Sequence, residues 1–115
     1  MSIKIYHNPR CSKSRKALDM IKKRITHFEI VEYLKKPLKI NEIKLLLSLL
    51  KIKPIELVRI KELVWKENYK NKKLNDNDII NAIVHHPKLM QRPIITNKNK
   101  AIIGRNLEKV LDIIN

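Results

Sequence analysis

The residues of this 115-residue chain whose type and placement could do chemistry are a single cysteine and six arginines. Cys11 lies in Ile3-Lys4-Ile5-Tyr6-His7-Asn8-Pro9-Arg10-Cys11-Ser12-Lys13-Ser14-Arg15, where a short strand runs into a helix. The thiolate, not the thiol, is the nucleophile, and a helix N-terminus flanked by cations favours that form. Arg10, Lys13, Arg15 and His7 supply the flanks. Ser14 stands three residues on, where a second cysteine would complete a dithiol redox motif. Cys11 therefore has no disulfide partner in its own chain, and the pattern reads as a one-thiol catalytic site. The bland alternative is a small buried hydrophobe, as free cysteines often are. The polar, cationic flanks argue against it.

The arginines stand out against the composition. The chain holds 20 Lys, 19 Ile and 11 Asn, so three residue types fill 50 of 115 positions. Their codons are rich in A and T, and base-composition drift yields this mixture without selection for a basic surface. The lysines are scattered, so the formal charge of +15 reads as solvated surface, and nucleic acid is not an expected partner. In such a chain Arg10, Arg15, Arg24, Arg59, Arg92 and Arg105 are each candidates for work that lysine cannot do. That work is a planar, multi-donor grip on an oxyanion. Arg10 and Arg15 flank Cys11, Arg92 precedes Pro93, and Arg105 follows Gly104, the only glycine.

These residues need elements to position them. Ile3 to His7 alternates as a strand, and Asn8-Pro9 breaks it. From Ser12 the pattern turns helical, with Ser14, Leu18, Ile21 and Ile25 on one stripe. Phe28 to Tyr33 alternates again, completing a βαβ unit with Phe28 and Tyr33 directed to the core. Asn41 is the expected N-cap of a helix carrying Ile43, Leu46, Leu47 and Leu50, and Pro54 opens another with Leu57 and Val58. Glu67 to Asn77 reads as loop. Asn75 or Asp76 caps a helix with Ile79, Ile80, Ile83 and Val84, stopped by Pro87. Pro93–Thr96 and Ala101–Ile103 form a hairpin through residues 97–100, and Leu107, Val110, Leu111 and Ile114 mark a closing helix. A cis Arg92-Pro93 bond is open to this sequence, since X-Pro bonds tolerate it. The order predicts a single α/β domain with a mixed four-stranded sheet and flanking helices.

Other candidates read more simply. Adjacent His85 and His86 cannot both face one ion from a regular helix, and nothing completes a set, so no metal is expected. Trp65 and the tyrosines are too few for a base-stacking platform. Glu29/Glu32 and Glu62/Glu67 read as surface charges. No run of ~18 apolar residues spans a membrane, and no secretory signal is evident. With one cysteine, these features predict a protein of the reducing cytoplasm.

Taken together, Tyr6 to Arg15, Pro87-Lys88-Leu89-Met90-Gln91-Arg92-Pro93-Ile94-Ile95, and Ile103-Gly104-Arg105 with the final helix resemble the glutathione/glutaredoxin-coupled arsenate reductases. The likeness covers essentially the whole chain and is greatest to the shorter, tail-less branch. It implies a thioredoxin-like fold with a helical insertion at about residues 38–90. It implies that Cys11 attacks arsenate, that His7 favours its thiolate, and that Arg59, Arg92 and Arg105 hold the oxyanion. Pro93 would be a cis-proline facing the thiol, with Asn8, Ser14 and Arg15 in support. Glutathione would be co-substrate and glutaredoxin the protein partner, with no bound cofactor and a monomeric chain. Arg59 comes from the resemblance only, because Leu57-Val58-Arg59-Ile60-Lys61 looks like any amphipathic helix. A group of transcriptional regulators that bind RNA polymerase shares this fold and the Arg-Pro motif. Its members carry Cys-x-x-Cys and lack an arginine after the late glycine, and Ser14 and Arg105 depart from both. These departures exclude a dithiol switch within one chain but not polymerase binding, so the alternatives are a related thiol oxidoreductase with another substrate and a polymerase-binding regulator of the same fold.

Overall fold

The computed structural model describes residues 2–115, which divide into two compact units, residues 2–36 with 92–115, and residues 37–91. The first unit carries strands β1 (Ile3–Tyr6), β2 (Glu29–Val31), β3 (Ile94–Asn97) and β4 (Lys100–Ile103), with helices α1 (Ser12–Arg24) and α5 (Leu107–Ile114). The strand order is β2-β1-β3-β4, with β1 and β2 parallel and the other two pairings antiparallel. A parallel pair needs a crossover, and α1 provides it.

Periodicity explains which faces meet. Ala17, Leu18 and Ile21 of α1 and Val110, Ile113 and Ile114 of α5 are buried with Ile3, Ile5 and Ile95 of the sheet in one apolar cluster. Phe28 and Ile25 pack partly buried against it. Fully burying one such side chain is worth about 1.5–3 kcal/mol. α5 is fixed at both ends: Asn106 Oδ1 accepts the Glu108 N–H at 2.9 Å, and Asn97 Nδ2 donates to the Ile113 carbonyl at 2.7 Å.

The second unit is helical: α2 (Ile40–Leu50), α3 (Leu63–Asn68) and α4 (Asp76–His85), with 3₁₀ turns at Pro54–Leu57 and Pro87–Leu89. α2 and α4 pack on each other through buried Ile43, Leu46 and Leu47 and buried Ile79, Ile80 and Ile83. Asn75 caps α4 as the sequence indicates, accepting the Asp78 N–H at 2.8 Å. Three expectations change here. α2 begins before Asn41, because the Glu42 carboxylate reaches back to accept the Lys39 N–H at 3.0 Å and moves the N-cap to Lys39. The segment opened by Pro54 is one 3₁₀ turn, after which Val58 is extended and bridges Met90. The loop expected over Glu67 to Asn77 is shorter at both ends, since Glu67 and Asn68 close α3 and Asp76 and Asn77 open α4; α3 is held by buried Trp65, which stacks on Tyr69 at 5.3 Å between ring centroids.

Candidate active site

The register of the sheet gathers the chemistry-bearing residues of the first unit. Tyr6 lies opposite Val31 on one side and Ile94 on the other, and Ile94 lies opposite Ile103. The chain continues from this row into His7 after β1, leaves Pro93 before β3, and passes into Gly104 after β4. These positions share the carboxyl end of the parallel strands, where ligands bind in open α/β sheets.

The loop from β1 to α1 is held by its own polar groups. The His7 N–H donates to the Val31 carbonyl at 2.9 Å, extending the parallel pairing by one step. Asn8 Oδ1 accepts the Arg10 N–H at 2.9 Å, and the Asn8 carbonyl accepts the Cys11 N–H at 3.0 Å, so one residue folds both sides of the turn. Arg15 Nη1 closes it from the helix, donating to the Pro9 carbonyl at 2.8 Å. Ser14 is fully buried; its hydroxyl lies 2.6 Å from His7 Nδ1 and accepts the Asn8 N–H at 3.1 Å. Cys11 is the N-cap residue of α1, extended at φ −96° and ψ 122°, partly exposed, with no capping bond from its side chain. The first turn of α1 has no acidic residue to oppose an anion. A thiol presented at a helix N-terminus, reachable from solvent and with no carboxylate in the first turn, is placed for nucleophilic attack.

His7 differs from the expectation. Burial is the largest influence and pushes its pKa below the ordinary 6.5; Glu32 opposes the shift, while Lys22 and Arg15 add to it. The ring is therefore uncharged at neutral pH, and the cationic flank comes from Arg10, Lys13 and Arg15. A consequence for stability follows from linkage. The unfolded chain takes up the His7 proton more readily, so this contribution is fully present above about pH 6.5 and lost as pH falls through the folded value. A His7→Asn variant is expected to lose less of its urea midpoint on acidification from about pH 7.5 to about pH 5 than the wild type does. Identical pH slopes in the two proteins would contradict the buried, uncharged ring.

At the head of β3 the Arg92-Pro93 peptide is cis and Pro93 is fully buried. Arg92 Nε and Nη1 are withdrawn from solvent and have no hydrogen-bond partner among the described residues. A buried donor left unsatisfied costs about 1–3 kcal/mol, more when charged. Gly104 ties the second arginine to this corner: its N–H donates to the Pro93 carbonyl at 2.7 Å, and Arg105 follows, exposed. A side chain has no room at Gly104. A Cβ there would meet Ile95 Cδ1 at 2.9 Å, Pro93 Cγ at 3.2 Å and Val110 Cγ2 at 3.3 Å. Because Ile95, Pro93 and Val110 are all buried, Gly104→Ala is expected to cost about 1–3 kcal/mol in urea unfolding. A variant as stable as wild type would show that this corner can give way.

Arg59 belongs to the second unit. The Arg59 N–H donates to the Leu89 carbonyl at 2.7 Å, and the Gln91 N–H to the Leu57 carbonyl at 2.8 Å, a short antiparallel pairing around the Val58–Met90 bridge. Its guanidinium is ion-paired to Glu62 through Nη1, both side chains about three-quarters buried at 24% and 23% exposure. The sequence reading had Glu62 as a surface charge and missed this pair; the i, i+3 spacing to Arg59 was the available signal. The histidine pair binds no common partner: His85 Nδ1 lies 2.7 Å from the Asn81 carbonyl, while His86 meets Tyr69 edge-on at 5.9 Å. Among the described residues no group of three or more His, Cys, Asp and Glu side chains could hold a metal ion, and no helix is long and apolar enough to cross a membrane.

Comparison with known proteins shows the family and the fold. The sequence pattern of the ArsC family matches residues 6–113. An uncharacterized protein of Escherichia coli, YfgD, is 44% identical over 97% of this chain and 96% of its own length. An arsenate reductase of Neisseria meningitidis is 39% identical over 94% of each chain. The structure of an arsenate reductase from Vibrio cholerae superimposes with a TM-score of 0.91 at 36% identity, covering 98% of both chains. The mixed four-stranded sheet with flanking helices is thus thioredoxin-like, as the sequence resemblance implied. With the family pattern matched over residues 6–113 and a relative 39% identical over 94% of each chain, the chain belongs to the ArsC family.

Proposed function

We propose that this protein reduces arsenate to arsenite, with Cys11 as nucleophile and external thiols as reductant. The observation that carries the reading is Arg92, whose Nε and Nη1 are buried without a partner among the described residues, at the sheet end that also presents Cys11. Fixed donors aimed at an oxyanion lower the cost of bringing a thiolate to a negatively charged substrate. Arg105, tied to the same corner through Gly104, is assigned the same ligand; Arg59 is assigned it on the family resemblance alone. His7 and Ser14 act on the loop that presents the thiol.

The chemistry balances as follows. The Cys11 thiolate attacks arsenic, and an arsenate oxygen leaves as hydroxide or, once protonated, water, giving a sulfur–arsenic(V) adduct. A glutathione thiolate displaces a second oxygen and becomes bound to arsenic. A glutaredoxin thiolate then attacks the glutathione sulfur; the new disulfide forms, and the electron pair of the broken sulfur–arsenic bond stays on arsenic, now arsenic(III). Water cleaves the remaining bond, releasing arsenite and the Cys11 thiolate. The external thiols are required by the chain itself, since Cys11 is its one cysteine. Arsenate-dependent NADPH oxidation, with glutathione, glutaredoxin and glutathione reductase present, tests the proposal. Turnover requiring every component is the expected result; a folded protein with none would overturn it.

A further inference from the structure

We propose that Glu62 is a positioning residue, which holds the Arg59 guanidinium in one orientation for the oxyanion. The inference rests on the assignment of Arg59 to the substrate and extends it to a residue outside that assignment. The backbone of Arg59 is already fixed from two directions. Its N–H bonds the Leu89 carbonyl at 2.7 Å, and its carbonyl accepts the Glu62 N–H at 3.0 Å, closing the turn Arg59-Ile60-Lys61-Glu62. The long side chain remains, and Glu62 fixes its far end through Nη1. The same turn is thus closed twice, once by backbone and once by side chains.

The placement of the Glu62 carboxylate argues for a purpose. Glu62 is the N-cap residue of α3, where a carboxylate would gain from the free N–H groups and the positive end of the dipole. Its side chain makes no capping bond and turns instead to Arg59. A helix of six residues with a buried tryptophan forgoes local stabilisation for this pair. Pairing through a single nitrogen leaves the other N–H groups of the guanidinium to receive a ligand, in a plane set in advance. An unpaired arginine would have to be ordered at every binding event, and a pinned one does not.

The test is a double-mutant cycle on the full chain, read as KM for arsenate and kcat separately, with urea unfolding as a check on the fold. Glu62→Ala is expected to raise KM about tenfold with kcat within about twofold, the size of a coupling between contacting charged groups. In an Arg59→Ala background the same change is expected to do nothing further. Glu62→Gln, which keeps the size and an acceptor oxygen, should fall between. An unchanged or lowered KM in Glu62→Ala overturns the proposal, as does an equal rise in both backgrounds, because Glu62 would then act independently of Arg59. If Arg59→Ala alone leaves KM unchanged, the assignment of Arg59 fails and this proposal with it, a result distinguishable from the other two.

Discussion

Replacing Cys11 by serine is expected to lower arsenate turnover by about 10³-fold or more, to the background of the assay, without destabilising the protein. The chemistry needs a sulfur that can bond arsenic and later leave it, and a hydroxyl does neither under these conditions. The structural consequence has the opposite sign. Cys11 occupies the N-cap of α1 in extended geometry and makes no capping bond. Serine is among the preferred residues there, and its hydroxyl can accept an N–H of the first turn, a gain of up to ~1 kcal/mol. Activity should therefore vanish while the urea midpoint holds or rises. Loss of both together would mean that Cys11 supports the fold, and the serine result would then say nothing for a nucleophile.

Arg92 gives a second pair of opposed effects. Arg92→Met is expected to lower kcat/KM for arsenate by about 10²–10³-fold, the usual cost of removing one preorganised donor to a developing oxyanion. The same change removes two buried nitrogens that have no partner among the described residues. Apolar replacement of buried donors that lack a partner is neutral or stabilising, so unfolding should be unchanged or shifted to higher urea. Arg92→Lys should also lose most activity, since a point charge cannot reproduce the planar fork. Near-full activity in Arg92→Lys would contradict an orienting guanidinium. A strongly destabilised Arg92→Met would show that the side chain serves the fold and not a ligand.

How much of this was legible before the fold depends on the range over which each signal acts. β1, α1, the hairpin of β3 and β4, and α5 were readable because their side chains repeat with one period and their ends carry local stops: Asn8-Pro9, the residues 97–100 turn and Gly104. Asn75 was readable as a cap because capping is decided within three residues. Lys39 was not, because there the bond runs from the Glu42 side chain back to a backbone N–H, and the capping residue itself contributes no signature. α3 escaped notice because it spans only six residues, too short for a periodic stripe, and is held by Trp65 and its neighbours.

The site divides in the same way. Cys11, Arg92, Pro93 and Arg105 could be singled out because each sits at a change of element, and the register from Tyr6 to Ile103 then brings those ends together. Arg59 lies in a stretch that only pairing with residues 89–91 makes extended, and a pairing across thirty residues leaves no mark on a local pattern. The neutral state of His7 was equally out of reach. A histidine near cations and one buried against Ser14 read alike in sequence, and only the fold shows that burial outweighs the nearby carboxylate of Glu32.

The central claim is that arsenic is reduced, two electrons at a time, through Cys11. The most direct test is to quantify arsenite formed against NADPH consumed by the wild-type protein in the presence of glutathione, glutaredoxin and glutathione reductase. The expected result is one arsenite for each NADPH, with neither change seen in Cys11→Ser. NADPH consumption without arsenite, or arsenite formation that persists in Cys11→Ser, would contradict it.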